Sequence, residues 1–131
     1  PLPGPLRLVV AAQGMVFAVA GTALLAAPEA ASWWPWDLTA LTGRAIGAWL
    51  VSFGLAAFHS LAENCLMRLR PAVWAYVALG SLQAWALARF PADFAWGSVG
   101  GIAYLVMLGS VLVAGVGGVV AIRRVSRTSS P

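Results

Sequence analysis

The sequence predicts an all-α integral membrane protein, an antiparallel four-helix bundle with both termini in the cytoplasm. Three observations carry that expectation. First, four apolar runs fill the chain, at residues 8–27, 44–67, 72–90 and 100–122. Each is long enough to cross roughly 30 Å of hydrocarbon as a helix. Second, 61% of the 131 residues are hydrophobic and only 9% are charged, far too few charges for the surface of a soluble domain this small. Third, the charges that exist stand almost entirely between the runs, and their signs are sorted. Nothing is left over for a soluble domain, so residues 1–131 read as one transmembrane unit.

The first run contains Gly14, Ala18, Gly21 and Thr22, a stripe of small residues suited to helix packing in lipid. Its length of about 20 residues exceeds a secretory signal core, so it is read as a retained spanning helix. It stops at Pro28. The loop that follows, 28–42, holds Trp33, Trp34 and Trp36. Indoles favour the headgroup region, where the ring is half buried and the N–H stays wet. These three are therefore expected to lie flat on the outer membrane surface, or else to touch a partner subunit or a pigment. Asp37 or Thr42 can cap the second helix.

On the second helix Arg44, Ala48, Ser52, Ala56, His59 and Glu63 recur at three- and four-residue spacing and share one face. A stripe both polar and small is expected inside the bundle or against a partner. The turn at 68–71 is short, which predicts that the second and third helices pack as antiparallel neighbours, with Pro71 in the first turn of the third. The third helix offers the seam Tyr76, Gly80, Gln83 and Leu87. The second outer loop, 91–98, repeats the first in miniature with Pro91, Asp93 and Trp96, hinting at a duplicated hairpin. The fourth helix offers Ser110, Ala114, Gly117, Gly118 and Ala121, and the tail 125–131 is expected to be disordered and to rest on anionic lipid.

All eight basic residues are Arg. Arg7, Arg68, Arg70, Arg123, Arg124 and Arg127 flank the termini and the central turn, while Glu29, Asp37 and Asp93 sit in the other two loops. That is the positive-inside pattern, and it places the termini and the central turn in the cytoplasm. The same clustering at helix ends rejects a nucleic-acid partner, despite a net charge of +4.

His59 and Glu63 are the one pair with candidate chemistry. They lie four residues apart on the second helix, so their side chains are neighbours. His59 stands roughly 6 Å from the helix midpoint at 1.5 Å per residue, a depth where ionisable groups are costly. His59 can ligate a haem or chlorophyll-type pigment. With Glu63 it can serve a proton path or part of a metal site, although two ligands are too few to hold a metal by themselves. The structural alternative is that Glu63 pairs with Arg68, Arg70 or Arg7, and that neutral His59 bonds Glu63, Gln13 or Gln83. Arg44 and Arg89 read as interface anchors beside Asp37 or Glu29, and beside Asp93. Cys65, the single cysteine, allows no internal disulfide and reads as an apolar filler or a palmitoylation site. One His, one Cys and four scattered carboxylates supply no nucleophile–base–orienter set, so no enzyme and no metal site are expected.

The segments Ala27-Pro28-Glu29 and Gly43-Arg44-Ala45-Ile46-Gly47-Ala48, followed by Gly54, resemble the DoxX-like group of small four-helix bacterial membrane proteins over roughly the first half of the chain. The resemblance implies a multi-pass protein of the bacterial inner membrane, and some members are accessory subunits of larger assemblies. The expected function is a non-catalytic accessory or structural subunit of such a complex, contacting lipid and other membrane subunits through Trp33, Trp34, Trp36 and Trp96. Two alternatives stand beside it. One is a subunit of a photosynthetic or electron-transfer complex that binds chlorophyll-type pigment, carotenoid or haem through His59. The other is a small transporter or channel subunit using the stripe from Arg44 through Ser52 to Glu63.

Overall fold

A computed structural model describes residues 2–128, and they form four long helices: α1 (Gly4–Ala26), α2 (Ala40–Glu63), α3 (Arg70–Arg89) and α4 (Val99–Thr128). Among the described residues α1, α2 and α4 are long and apolar enough to cross a membrane. Helix α3 has the length, with 20 residues, but carries Arg70 and Arg89 at its ends and Ser81 and Gln83 within, and is less apolar.

Proline sets the C-terminal ends of α1 and α3. A residue before proline is pushed out of the α region by the pyrrolidine ring. Ala27 before Pro28 has φ −143° and ψ 68°, and Phe90 before Pro91 has φ −126° and ψ 57°. Each leads into a single 3₁₀ turn, Pro28–Ala30 and Pro91–Asp93. Helix α2 begins four residues before the apolar run does. Its cap is Thr39, whose hydroxyl accepts from the Thr42 amide at 3.2 Å, rather than Asp37 or Thr42. It ends at Asn64, which adopts the left-handed conformation at φ 44° and turns the chain. Pro71 falls in the first turn of α3 as expected. Ser98 caps α4 by accepting from the Gly101 amide at 2.9 Å. Helix α4 then runs through Arg123, Arg124 and Arg127 to Thr128, so the expected disordered tail is helical up to that point, and 129–131 lie outside the described residues. The drop in hydropathy at Arg123 marks where a bilayer would end, and nothing there breaks the helix.

Helices α1 and α2 form the closest pair. Their contacts run in opposite directions along the two chains. Gly14 meets Ala57, Gly54 meets Ala18, Gly21 meets Gly47 and Val51, and Gly43 meets Pro28. A Cβ placed on Gly21 would lie 2.7 Å from the Gly47 carbonyl oxygen and 2.7 Å from the Val51 nitrogen. The two backbones therefore touch, which only glycine permits. Helices α3 and α4 form the second pair, likewise in opposite directions, with Gly115 against Val77 and Gly118 against Val73. The pairs join along α1 and α4, where Gln13 Nε2 donates to Ser110 Oγ at 2.9 Å. Gln13 is 2% exposed, so its end of this bond is buried between the helices.

Two expectations are corrected. The connection between α2 and α3 does not make them packing partners. It spans 64–69, longer than the tight turn read from Pro71, and α3 swings across to α4 so that α2 and α3 hardly touch. The polar stripe of α2 does not face inward either. Arg44, Ala48, Ser52, Ala56 and His59 are all exposed, and only Glu63 is half buried. Helix α2 carries two stripes of small residues, and the glycine-rich one, Gly43, Gly47, Gly54 and Ala57, takes the interior. Glycine allows a closer approach than alanine or serine and buries no side-chain polar group, so dispersion favours that face.

Gly21→Ala places a methyl group against backbone and is expected to cost about 1–3 kcal/mol in an unfolding titration in mixed micelles. Gly117→Ala, where an added Cβ meets nothing within 4 Å, should leave stability unchanged or raise it by up to about 1 kcal/mol.

Candidate functional site

The splay of α2 from α3 leaves a cleft along one side of the bundle. Its wide part is a cavity of about 300 Å³ open on that side. Trp49 and Phe53 of α2 form one wall and Leu79 and Gln83 of α3 the other. Phe17 of α1 and Met107 of α4 lie behind, and Trp34 closes the top. A smaller space of about 70 Å³ continues between the same two helices, past Ser60 and Tyr76.

The top of the cavity is built by the loop between α1 and α2 and the loop between α3 and α4. Pro35 is completely buried, and its carbonyl accepts from the Ala95 amide at 2.8 Å, which ties the loops together. The rigid Pro35 turns Trp34 and Trp36 inward. Trp34 packs edge-on to Trp36 at 5.2 Å between ring centroids, Trp36 edge-on to Tyr104 at 5.4 Å, and Phe94 lies 5.7 Å from Tyr104. Edge-on aromatic pairs of this kind contribute about 0.5–1.5 kcal/mol each beyond the burial of their area. Trp33 and Trp96 stay 43% and 48% exposed at the rim, and Trp96 donates to the Pro91 carbonyl at 2.7 Å. Trp34 and Trp36, expected to lie flat with Trp33, instead belong to an aromatic cap. Gly100 permits the cap, because a Cβ there would overlap the Trp33 carbonyl.

Polar groups in the cleft are few. Tyr104 donates its hydroxyl proton to Gln83 Oε1 at 2.9 Å. Trp34 Nε1 is buried and has no hydrogen-bond partner. Among the described residues no charged side chain lines the cavity. Tyr104 went unnoticed in the sequence although helical spacing places it on the face of Leu108 and Val111, both of which also line the space.

The pair singled out by sequence sits elsewhere. His59 is exposed on the outer side of α2, and Glu63 pairs with Arg68 at 3.2 Å. Arg68 is 75% exposed, so that bond is a surface contact at the helix end. His59 bonds neither Gln13 nor Gln83, whose partners are Ser110 and Tyr104. Ser52 donates to the Ala48 carbonyl at 2.9 Å, satisfying its hydroxyl within its own helix. Among the described residues Arg44 makes no ion pair with Asp37 or Glu29, nor Arg89 with Asp93. Among the same residues no three of the His, Cys, Asp and Glu side chains come together, so a cofactor bound through His59 would stand outside the bundle, against α2.

No family model matches the chain, and neither does any curated protein or solved structure.

Gly100→Ala is expected to lift the loop between α1 and α2 off α4. Amide exchange at Ala95, whose N–H the Pro35 carbonyl holds, should quicken at least about tenfold. Gly97→Ala, with open space around its Cβ, should leave that rate as it is.

Proposed function

We propose that the chain is a non-catalytic accessory or structural subunit of a bacterial inner-membrane complex, inserted as an antiparallel four-helix bundle with both termini in the cytoplasm. Length and composition support the membrane placement for α1, α2 and α4. Helix α3 follows them because it lies along α4, from Val73 beside Gly118 to Gln83 beside Tyr104. The Arg residues at the termini and at the central turn support the orientation.

The observation that carries the proposal is the outer face of α2. Ala48, Ser52, Ala56 and His59 form a small and polar stripe on the outside of the bundle. Small residues gain nothing against lipid tails but let another helix approach closely, and an imidazole at membrane depth is costly unless something satisfies it. A helix of another membrane subunit meets both needs. The resemblance to DoxX-like proteins, some of which are accessory subunits, points the same way. The exposure of His59 also favours a second reading, in which a pigment or haem lies between subunits with His59 as its axial ligand. Transport along the stripe would require a second chain to enclose it.

Extraction in mild detergent, followed by mass analysis and an absorption spectrum, tests both readings. The wild-type chain should elute with larger partners, and the double variant Ser52→Leu, His59→Leu should elute without them while keeping its helix content. A visible band lost in His59→Ala would select the pigment reading. A colourless particle free of partners in the wild type contradicts both.

A further inference from the structure

Charge is unevenly divided between the two ends of the bundle. The end that carries the α2–α3 connection has six arginines, Arg7, Arg68, Arg70, Arg123, Arg124 and Arg127, against one carboxylate, Glu63. Glu63 is engaged by Arg68 at 3.2 Å. Among the described residues the chain therefore offers Arg123 and Arg127 no carboxylate, and both stand exposed. At the opposite end two arginines, Arg44 and Arg89, are outnumbered by three carboxylates, Glu29, Asp37 and Asp93. Helix α4 gives the excess charge a place. Its 30 residues span about 45 Å against about 30 Å of hydrocarbon, so its last turns emerge from an apolar slab. Helical spacing sets Val113, Val116, Val120, Arg123 and Arg127 on one face, turned away from Gly115 and Gly118, which pack on α3. The three valines are 70%, 53% and 43% exposed. Hydrocarbon and then guanidinium follow one another along a single band.

We propose that this band binds an anionic phospholipid, with the phosphate held by Arg123 and Arg127 and an acyl chain laid against Val113, Val116 and Val120. A guanidinium matches a phosphate in charge and in the spacing of its donors, and holds it through two parallel hydrogen bonds. Arg123 and Arg127 stand one helical turn apart, so both reach one phosphate. Arg70 comes to the same level. Helix α3 runs against α4 with Val77 beside Gly115 and Val73 beside Gly118, which sets Arg70 at about the height of Ile122. Gly117, with open space over it, lowers the surface between Val113 and Val120 and lets a chain lie close to the helix. The order of the band selects the occupant. A dissolved anion has no use for exposed valines, and a neutral apolar molecule has none for arginines without a carboxylate. A zwitterionic lipid brings its own cation and leaves the positive excess uncompensated. A fatty acid carries its carboxylate directly on the chain, whereas Arg127 lies about 10 Å beyond Val120. A phosphate joined to its chain through glycerol reaches farther out, and a net negative headgroup answers the charge.

The inference rests on the membrane placement proposed above, and one experiment separates the two. The full chain is reconstituted in nanodiscs of equal parts dioleoyl phosphatidylglycerol and dioleoyl phosphatidylcholine and released for native mass spectrometry, which reads the ratio of the two lipids retained. The wild type should enrich phosphatidylglycerol about tenfold over the disc. Arg123→Gln with Arg127→Gln should bring the ratio to within about twofold of the disc, with unchanged helix content. Arg123→Lys with Arg127→Lys keeps the charge and should stay within about threefold of the wild type. Arg44→Gln with Arg89→Gln removes the same charge from the other end and should leave the ratio as it is. Inorganic phosphate, set against chloride of equal ionic strength, should displace no lipid, and added oleate should not replace it. Retention in the disc's own proportion by the wild type, enrichment that survives Arg123→Gln with Arg127→Gln, an equal loss in Arg44→Gln with Arg89→Gln, or displacement by phosphate or oleate overturns the proposal. Failure of the chain to enter the nanodisc at all overturns the membrane placement instead, and the lipid band with it.

Discussion

The approach of Gly21 to Gly47 is the constraint on which the rest of the structure depends. In lipid there is no hydrophobic drive to bring apolar helices together, so the pair that can come closest wins. Here α1 and α2 meet backbone to backbone over Gly14, Gly21, Gly47 and Gly54. That contact fixes the rotation of α2. With its glycine face turned to α1, the opposite face, Ala48, Ser52, Ala56 and His59, has to look outward. It also fixes the position of α2. Held hard against α1, it cannot lean on α3, which packs on α4 through Gly115 and Gly118. The open side between α2 and α3 is the geometric result, and both candidate surfaces, the stripe and the cleft, descend from one close contact.

Polar groups are scarce inside this protein, and each one has a place where it sets a relation between helices. Gln13 joins α1 to Ser110 of α4, and Gln83 of α3 meets Tyr104 of α4. Serine and threonine on the surface look after themselves, as Thr22, Ser52 and Ser60 do by donating to the carbonyl four residues back. Against that background the groups left over stand out. Among the described residues the Trp34 indole N–H and Gln13 Oε1 are buried without a hydrogen-bond partner, and His59 faces outward. The first two lie inside the protein and His59 on its outside, where a neighbouring subunit or cofactor could meet it.

The helices were legible in the sequence because hydropathy and proline are local signals. Pro28 and Pro91 stop α1 and α3 where they were read to stop, and Pro71 opens α3. The far end of α4 was not legible from hydropathy, since Arg123 ends an apolar run without ending a helix. The seams of α3 and α4 were largely visible, with Gly80, Ala114 and Gly118 all buried. Which of its two expected places the polar stripe of α2 takes was not legible, for a definite reason. Periodicity finds both of its small stripes, but which one turns inward depends on what α1 presents, and Gly14 and Gly21 prefer glycine. The cleft was beyond sequence altogether, because it is made by an absence of contact between two consecutive helices and closed by Trp34 and Trp36 from a loop.

Cysteine cross-linking in the membrane probes the orientation of α2 most directly. In a Cys65→Ala background, the pair Ala18→Cys with Gly54→Cys brings two Cβ atoms about 3.2 Å apart, close enough for a disulfide with a small adjustment. Oxidation should join that pair within the chain rapidly, and should leave the pair Ala18→Cys with Ser52→Cys unjoined. Rapid closure through Ser52 in place of Gly54 would mean that the polar stripe faces α1, and would contradict the arrangement from which both the outer docking face and the lateral cleft follow.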